Sequence, residues 1–186
     1  MSADTPPPER LRPIAGRTIY DGRVITVRLE TFRDPNGATK DREVVVHPGA
    51  VAIVARLSSE EILLVRQERL AVRRELWEIP AGTLEPGESP IECARRELRE
   101  ETGYEADLWQ HRLDFYTTPG FSNERIALFL ADQLRPVGVP DPDEIAECAT
   151  FSIDRLREMV ENGLILDAKT ILAIGWIERS PGEEMD

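Results

Sequence analysis

The stretch Gly82–Tyr104, GTLEPGESPIECARRELREETGY, joins a glycine-rich turn to a helix that carries three glutamates, Glu97, Glu100 and Glu101, on one side. The helix is signalled at both ends. Ser89-Pro90 supplies a polar N-cap and a proline at the first helical position, Glu92 is the reach-back carboxylate of a capping box, and Gly103 is the stop. At about 100° per residue, Ile91, Ala94 and Leu98 form a buried stripe, and the three glutamates fill the arc beside it. Arg95, Arg99, Glu92 and Arg96 are left for the solvated face.

Carboxylates three and four residues apart repel by roughly a few tenths of a kcal/mol each in water, and by more beside an apolar stripe. Arg96 can reach Glu100 at i,i+4, but the arginines as a group lie mostly on the far side. A hard divalent cation, which prefers carboxylate oxygen, would offset the repulsion. Read alone, three glutamates suit a solvated acidic helix better, and it is the residues around them that reverse that reading.

Those residues resemble the Nudix box, whose pattern runs glycine, any five, glutamate, any seven, Arg-Glu, an apolar residue, any one, Glu-Glu, any one, glycine and an apolar residue. Gly82, Glu88, Arg96, Glu97, Leu98, Glu100, Glu101 and Gly103 match it in register, with Tyr104 in the last apolar slot. A match this long is far more specific than a lone glycine motif.

The 186 residues and 21.0 kDa suit one sizeable core. A net charge of −12 and a pI near 4.7 disfavour a nonspecific grip on nucleic acid. Cys93 and Cys148 have neither CxxC spacing nor a nearby histidine, so they read as free core thiols in a reducing compartment. No signal segment opens the chain, and no apolar run approaches the roughly 20 residues that span a bilayer. The expectation is a soluble cytoplasmic protein with no membrane or nucleic-acid partner.

In chain order, residues 1–13 are polar and proline-rich and read as a disordered or extended arm. RTIYDGRVITVRLETF (17–32) alternates around Asp21-Gly22 as a hairpin, Asp34–Gly37 makes a second turn, and REVVVH (42–47) is a third strand. AVAIVAR (50–56) and EILLVRQE (61–68) are neighbouring core strands, after which Leu76–Ala81 leads into the box. Strand-like runs follow at 107–117 and 124–132, then an acidic proline-rich loop (136–147) and a short strand at 148–151. Ser152 caps a helix over 155–161 that stops at Gly163, and Asp167 caps a last one through Trp176. Strands and helices mix without a βαβα rhythm, so the class is α+β. The resemblance implies an α/β/α sandwich around a mixed β-sheet. With it go an N-terminal antiparallel β-extension at 14–48, used for dimerisation and base binding, and a hydrolase domain at 49–180.

For function, the resemblance implies hydrolysis of a nucleoside diphosphate linked to another group, by attack of water at phosphorus. Such chemistry needs cations against the diphosphate charge and a base for the water. Carried over by position, Glu97, Glu101 and the backbone carbonyl of Ala81 are Mg2+ ligands. Glu100 bridges metals or orders the water, and Arg96 orients it. Two or three ions are implied, with Mn2+ able to substitute. Glu88 takes a structural or outer role.

The substrate is a separate question. Pro119 beyond the box, with TPGFSNERIALFLA (118–131), LVRQERL…LWEIPAG (64–82) and ILDAKTILAIGW (165–176), resembles the ADP-ribose pyrophosphatase subgroup, so that the likeness spans about 20–178. That subgroup implies a general base on the late acidic loop: Glu144, with Asp143 and Glu147 as alternatives. Arg69 is implied as a phosphate contact. Glu124 faces the metals or phosphates, Phe121 packs near the terminal ribose, and Glu43 contacts the base across a homodimer formed by the N-terminal strands. Arg42 stands where some relatives carry a stacking aromatic residue. ADP-ribose cleaved to AMP and ribose 5-phosphate is the leading expectation. The alternatives are GDP-mannose, an ADP-hexose, NADH, or a nucleotide-sensing module without turnover. An RNA-directed role would want a basic groove that this composition lacks.

Overall fold

The computed structural model describes residues 11–143 and 145–179, and the anticipated arm falls outside them up to residue 10. Three strands come first: β1 (Arg12–Asp21), β2 (Thr26–Arg33) and β3 (Thr39–Val46). They pair antiparallel in that order. The anticipated turns join them. Gly22 N–H reaches the Ile25 carbonyl, while the Asp34 side chain accepts from Asn36 and Ala38 N–H and leaves Gly37 at φ 86°. With Thr118–Glu124 these strands form one compact unit, in which Val45 N–H donates to the Phe121 carbonyl and His47 N–H to Asn123 Oδ1.

The second unit comprises Gly49–Thr117 and the described residues from Arg125 onward. Its elements are β4 (Ala50–Ser58), β5 (Glu61–Arg69), β6 (Arg74–Glu78), β7 (Ala81–Thr83), α1 (Pro90–Thr102), β8 (Tyr104–Tyr116), β9 (Arg125–Pro136), β10 (Glu147–Ser152), α2 (Ile153–Glu161) and α3 (Ala168–Arg179). The strands form one mixed sheet in the order β10-β5-β4-β9-β8, with β4 and β9 parallel and the remaining pairs antiparallel. Strand β4 shows why it becomes the centre of a three-layer domain. Ala50, Ala52 and Val54 point to one face, where Leu156 and Met159 of α2 and Ala173 and Ile174 of α3 cover them. Val51, Ile53 and Ala55 point to the other, under Cys93, Ala94 and Leu98 of α1. A strand buried on both faces reads as a continuous apolar run, which is what 50–55 is. The anticipated α/β/α sandwich is therefore the arrangement found.

Two short strands have no apolar run to announce them. β5 meets β4 only near their hairpin; further along, β6 takes the free edge of β5 while β7 takes that of β4. The sheet thus forks, and the crossing Ile79-Pro80 is tied down by Ile53 N–H donating to the Pro80 carbonyl. Both cysteines are free; burial pushes the Cys93 thiol up to about 12 and that of Cys148 to about 11.

Helix α1 starts and stops as its sequence indicates. Ser89 N–H donates to Glu92 Oε2 at 2.9 Å, and Gly103 takes φ 73° with its N–H on the Arg99 carbonyl. The carbonyl of Gly103 in turn accepts from Val137 and Gly138 N–H. A Cβ on residue 103 would lie 2.6 Å from the Gly138 carbonyl oxygen. Gly103→Ala therefore carries left-handed strain of about 1–2 kcal/mol and a backbone clash besides. We expect a loss of at least about 2 kcal/mol in urea unfolding; an unchanged midpoint would contradict this end of the helix.

Candidate active site

Three carboxylates are buried beside the fork. Glu78 ends β6 at 1% exposure, and Glu97 and Glu101, one turn apart on α1, are 8% and 3% exposed. The stripe that α1 buries is thus wider than Ile91, Ala94 and Leu98. Cys93 and both glutamates belong to it, while Ile91 is only partly buried. Glu100, half exposed, stays at the rim.

Each buried carboxylate is compensated differently. Glu101 Oε2 accepts the Ala81 N–H at 2.9 Å, and no salt bridge reaches it among the described residues. Burial and the neighbouring charge of Glu97 push its pKa up to about 8, against the pull of the Ala81 N–H. Glu97 lies against β7 so closely that a Cβ on Gly82 would sit 1.8 Å from its carboxyl carbon. Only glycine leaves room there. Glu97 Oε1 accepts from Arg96 Nη1 at 2.7 Å.

Arg96 is not on the solvated face as the helical wheel places it. Its guanidinium forks onto Glu88 at 2.9 and 3.0 Å, and its Nη1 also reaches Glu100 Oε2 at 3.1 Å. Its donors hold the Glu88 carboxyl down at about 2 and raise its own pKa. Glu88 lies eight positions away on the turn, and its pull turns Arg96 back towards the box; a wheel carries no such information. Arg95 and Arg99 do stay outside.

Glu78 holds the most elaborate set of partners. Arg69 Nε and Nη2 grip its two oxygens at 2.8 and 2.7 Å, and Lys169 Nζ donates to Oε2 while lying 3.1 Å from Asp167 Oδ1. Burial opposes the charge, but the bonds from Arg69 and Lys169 win and hold Glu78 below the usual carboxylate range. Thr170 completes the lattice, accepting Ile79 N–H and donating to Asp167 Oδ2. Arg69 is thereby fixed beside the fork. Glu78, Lys169 and Thr170 are not assigned by the sequence reading; the one available signal was a charged residue inside the apolar run LWEIP.

The acidic loop is stitched to α1, with Asp141 N–H donating to the Glu100 carbonyl and Ala146 N–H to that of Arg66. Asp143 is exposed on it, Glu147 pairs with Arg66 at 3.0 Å, and Glu144 lies outside the described residues. Glu43, Phe121 and Glu124 all fall in the other unit. Glu43 sits on β3 opposite Leu29, Phe121 is exposed, and Glu124 lies 3.8 Å from His47 Nε2.

Among the described residues no three histidine, cysteine or carboxylate side chains converge as a finished cation site, and Arg96 stands among the glutamates instead. The donors nonetheless suit a hard cation. Two buried carboxylates lie one turn apart, and the glycine at 82 makes room for the carboxylate of Glu97 against β7.

Residues 46–172 match the family model described as NUDIX domain. The ADP-ribose pyrophosphatase of Bacillus subtilis (strain 168) is 40% identical over 168 residues, covering 89% of this chain and 91% of that protein. The methanol dehydrogenase activator of Bacillus methanolicus is 38% identical over 164 residues, 86% of this chain and 88% of its own. A solved structure titled "Crystal structure of ADP compounds hydrolase" superposes with a TM-score of 0.80 at 21% identity, over 92% of this chain and 94% of that one, which bears on the fold.

Glu78→Gln leaves Arg69 and Lys169 without their shared charge and is expected to cost about 3 kcal/mol at pH 7. Because the folded-state pKa of Glu78 is lowered from 4.5, its stabilisation is complete above that pH and fades as pH falls through the folded value. The gap in Tm between wild type and variant should therefore narrow on acidification below about pH 4.5; a constant gap would show that the charge is not what matters.

Proposed function

The chain belongs to the Nudix family, and from that premise we propose that it hydrolyses the diphosphate of ADP-ribose with Mg2+, giving AMP and ribose 5-phosphate. The observation that carries this reading is the buried pair Glu97 and Glu101, one helical turn apart and laid against Gly82 and Ala81. The substrate follows from the similarity to the Bacillus subtilis enzyme over nearly the whole of both chains.

Glu97, Glu101 and the Ala81 carbonyl would hold the ions, two or three in number. A divalent cation bound there supplies charge neutralisation for the diphosphate and acidifies a bound water. The protein's own groups do the remainder. Arg96 keeps Glu97 and Glu100 in place, so that Glu100 stands at the rim where it can order the attacking water. Glu144 takes the water's proton; its loop is anchored to the Glu100 carbonyl through Asp141. Arg69, immobilised by Glu78, presents its positive charge to a phosphate at little further entropic cost. Glu43, Phe121 and Glu124 supply the nucleoside and ribose contacts, in a homodimer built through the β1–β3 sheet. We place the enzyme in the cytoplasm, acting on a small nucleotide and not on nucleic acid. Among the described residues no helix is long and apolar enough to cross a membrane.

The purified protein, incubated with Mg2+ and ADP-ribose, GDP-mannose or NADH, should turn over ADP-ribose fastest, as read by chromatography of AMP. A faster reaction with GDP-mannose would overturn the substrate, and no turnover of any would overturn the reaction. Glu101→Gln should lower kcat by about 10²–10³-fold. It should leave Tm unchanged or raised, since the buried carboxyl makes no salt bridge among the described residues and the amide can still accept the Ala81 N–H; wild-type kcat would take Glu101 out of the site.

A further inference from the structure

Helix α1 and strands β8 and β9 line an open cavity of about 500 Å3. Arg95, Arg96 and Arg99 line one side, and Trp109 and Arg135 line the other. Sites for small molecules span roughly 300–1,000 Å3, so a nucleotide-sized occupant fits. Two carboxylates also line it, and both are engaged: Glu105 accepts from Arg135, and Glu100 from Arg96.

That leaves Arg95 and Arg99, which make no ion pair among the described residues. The acid three residues before Arg95, Glu92, is committed to the Ser89 cap. Arg99 gains from the carbonyl end of its helix, but Arg95, mid-helix, does not. Like charges at i,i+4 repel, so the pair is mildly destabilising as it stands. In a chain of net charge −12, two such cations on the wall of a cavity are a recognition feature for an anion.

We propose that this cavity binds a nucleoside phosphate monoester, with the phosphate on Arg95 and Arg99 and the base against Trp109, as a site that adjoins the diphosphate-cleaving glutamates and shares Glu100 and Arg96 with them. Arg96 lines the same cavity while holding Glu97 and Glu100. An occupant that draws on Arg96 loosens its grip on those two carboxylates and changes kcat. AMP, a product under the function proposed above, is of this chemical class, so the part of the proposal that concerns turnover rests on that reading.

The binding test does not. Calorimetric titration of the full chain with AMP in EDTA silences metal-dependent phosphate binding and involves no turnover, so it remains readable whatever the substrate. Wild type should bind AMP more tightly than inorganic phosphate, and Arg95→Gln/Arg99→Gln should weaken AMP at least tenfold with Tm preserved. Absent binding by wild type, or equal affinity in the double variant, overturns the site; AMP no tighter than phosphate overturns the nucleoside assignment. Should the double variant fail to fold, protection of Arg95 and Arg99 from phenylglyoxal by AMP in wild type, mapped by mass spectrometry, decides the same point. In kinetics, AMP should lower kcat in wild type and only raise KM in the double variant. A kcat effect that survives in the variant overturns the coupling.

Discussion

The electrostatics of burying carboxylates at a fork in a β-sheet is the constraint on which this domain depends. Glu78, Glu97 and Glu101 are all withdrawn from water, where an unpaired charge costs several kcal/mol. Glu78 is gripped by Arg69 and Lys169, Glu97 accepts a bond from Arg96, and Glu101 accepts one from a backbone N–H. The ion pairs of Glu78 thus set it apart from Glu101, which accepts a backbone N–H and makes no salt bridge among the described residues. Their burial also explains why the fork exists. By parting β4 from β5, it lets the β6–β7 crossing bring Glu78 and Ala81 into the interior on adjacent backbone.

How much of this the sequence disclosed depends on how local each cause is. Helix α1 was legible to the residue because Ser89, Glu92 and Gly103 act within one turn of its ends. The two-faced burial of β4 was legible as an apolar run. Strands β6 and β7 were not, since they exist only as edges supplied by β5 and β4. Arg96 was misplaced because a helical wheel knows nothing of Glu88 on the preceding turn. Lys169 and Thr170 reach Glu78 and Ile79 across 91 residues, a separation no periodicity reveals.

The division of the chain bears on function as well. Metal-ligand candidates lie entirely in the unit built on the mixed sheet, whereas Glu43, Phe121 and Glu124 lie in the other. Within the unit that contains β1–β3, hydrogen bonds from Val45 and His47 hold the 118–124 loop to β3 and its flank. Residues far apart in sequence thus share one compact unit. Under the function proposed above, the nucleoside and ribose contacts would come from a different unit than the metal ligands, in keeping with one motif serving many nucleotide substrates.

The carbonyls at the end of α1 have a consequence of their own. Those of Glu100 and Gly103 are taken up by the amides of Asp141, Val137 and Gly138, so the last helical turn and the acidic loop share hydrogen bonds instead of each meeting solvent. Fraying of that turn releases the loop, and loosening of the loop exposes the turn. Amide protons of residues 137, 138 and 141 should then exchange with solvent as one cooperative unit with the helix end, slower than the exposed position of this loop would suggest.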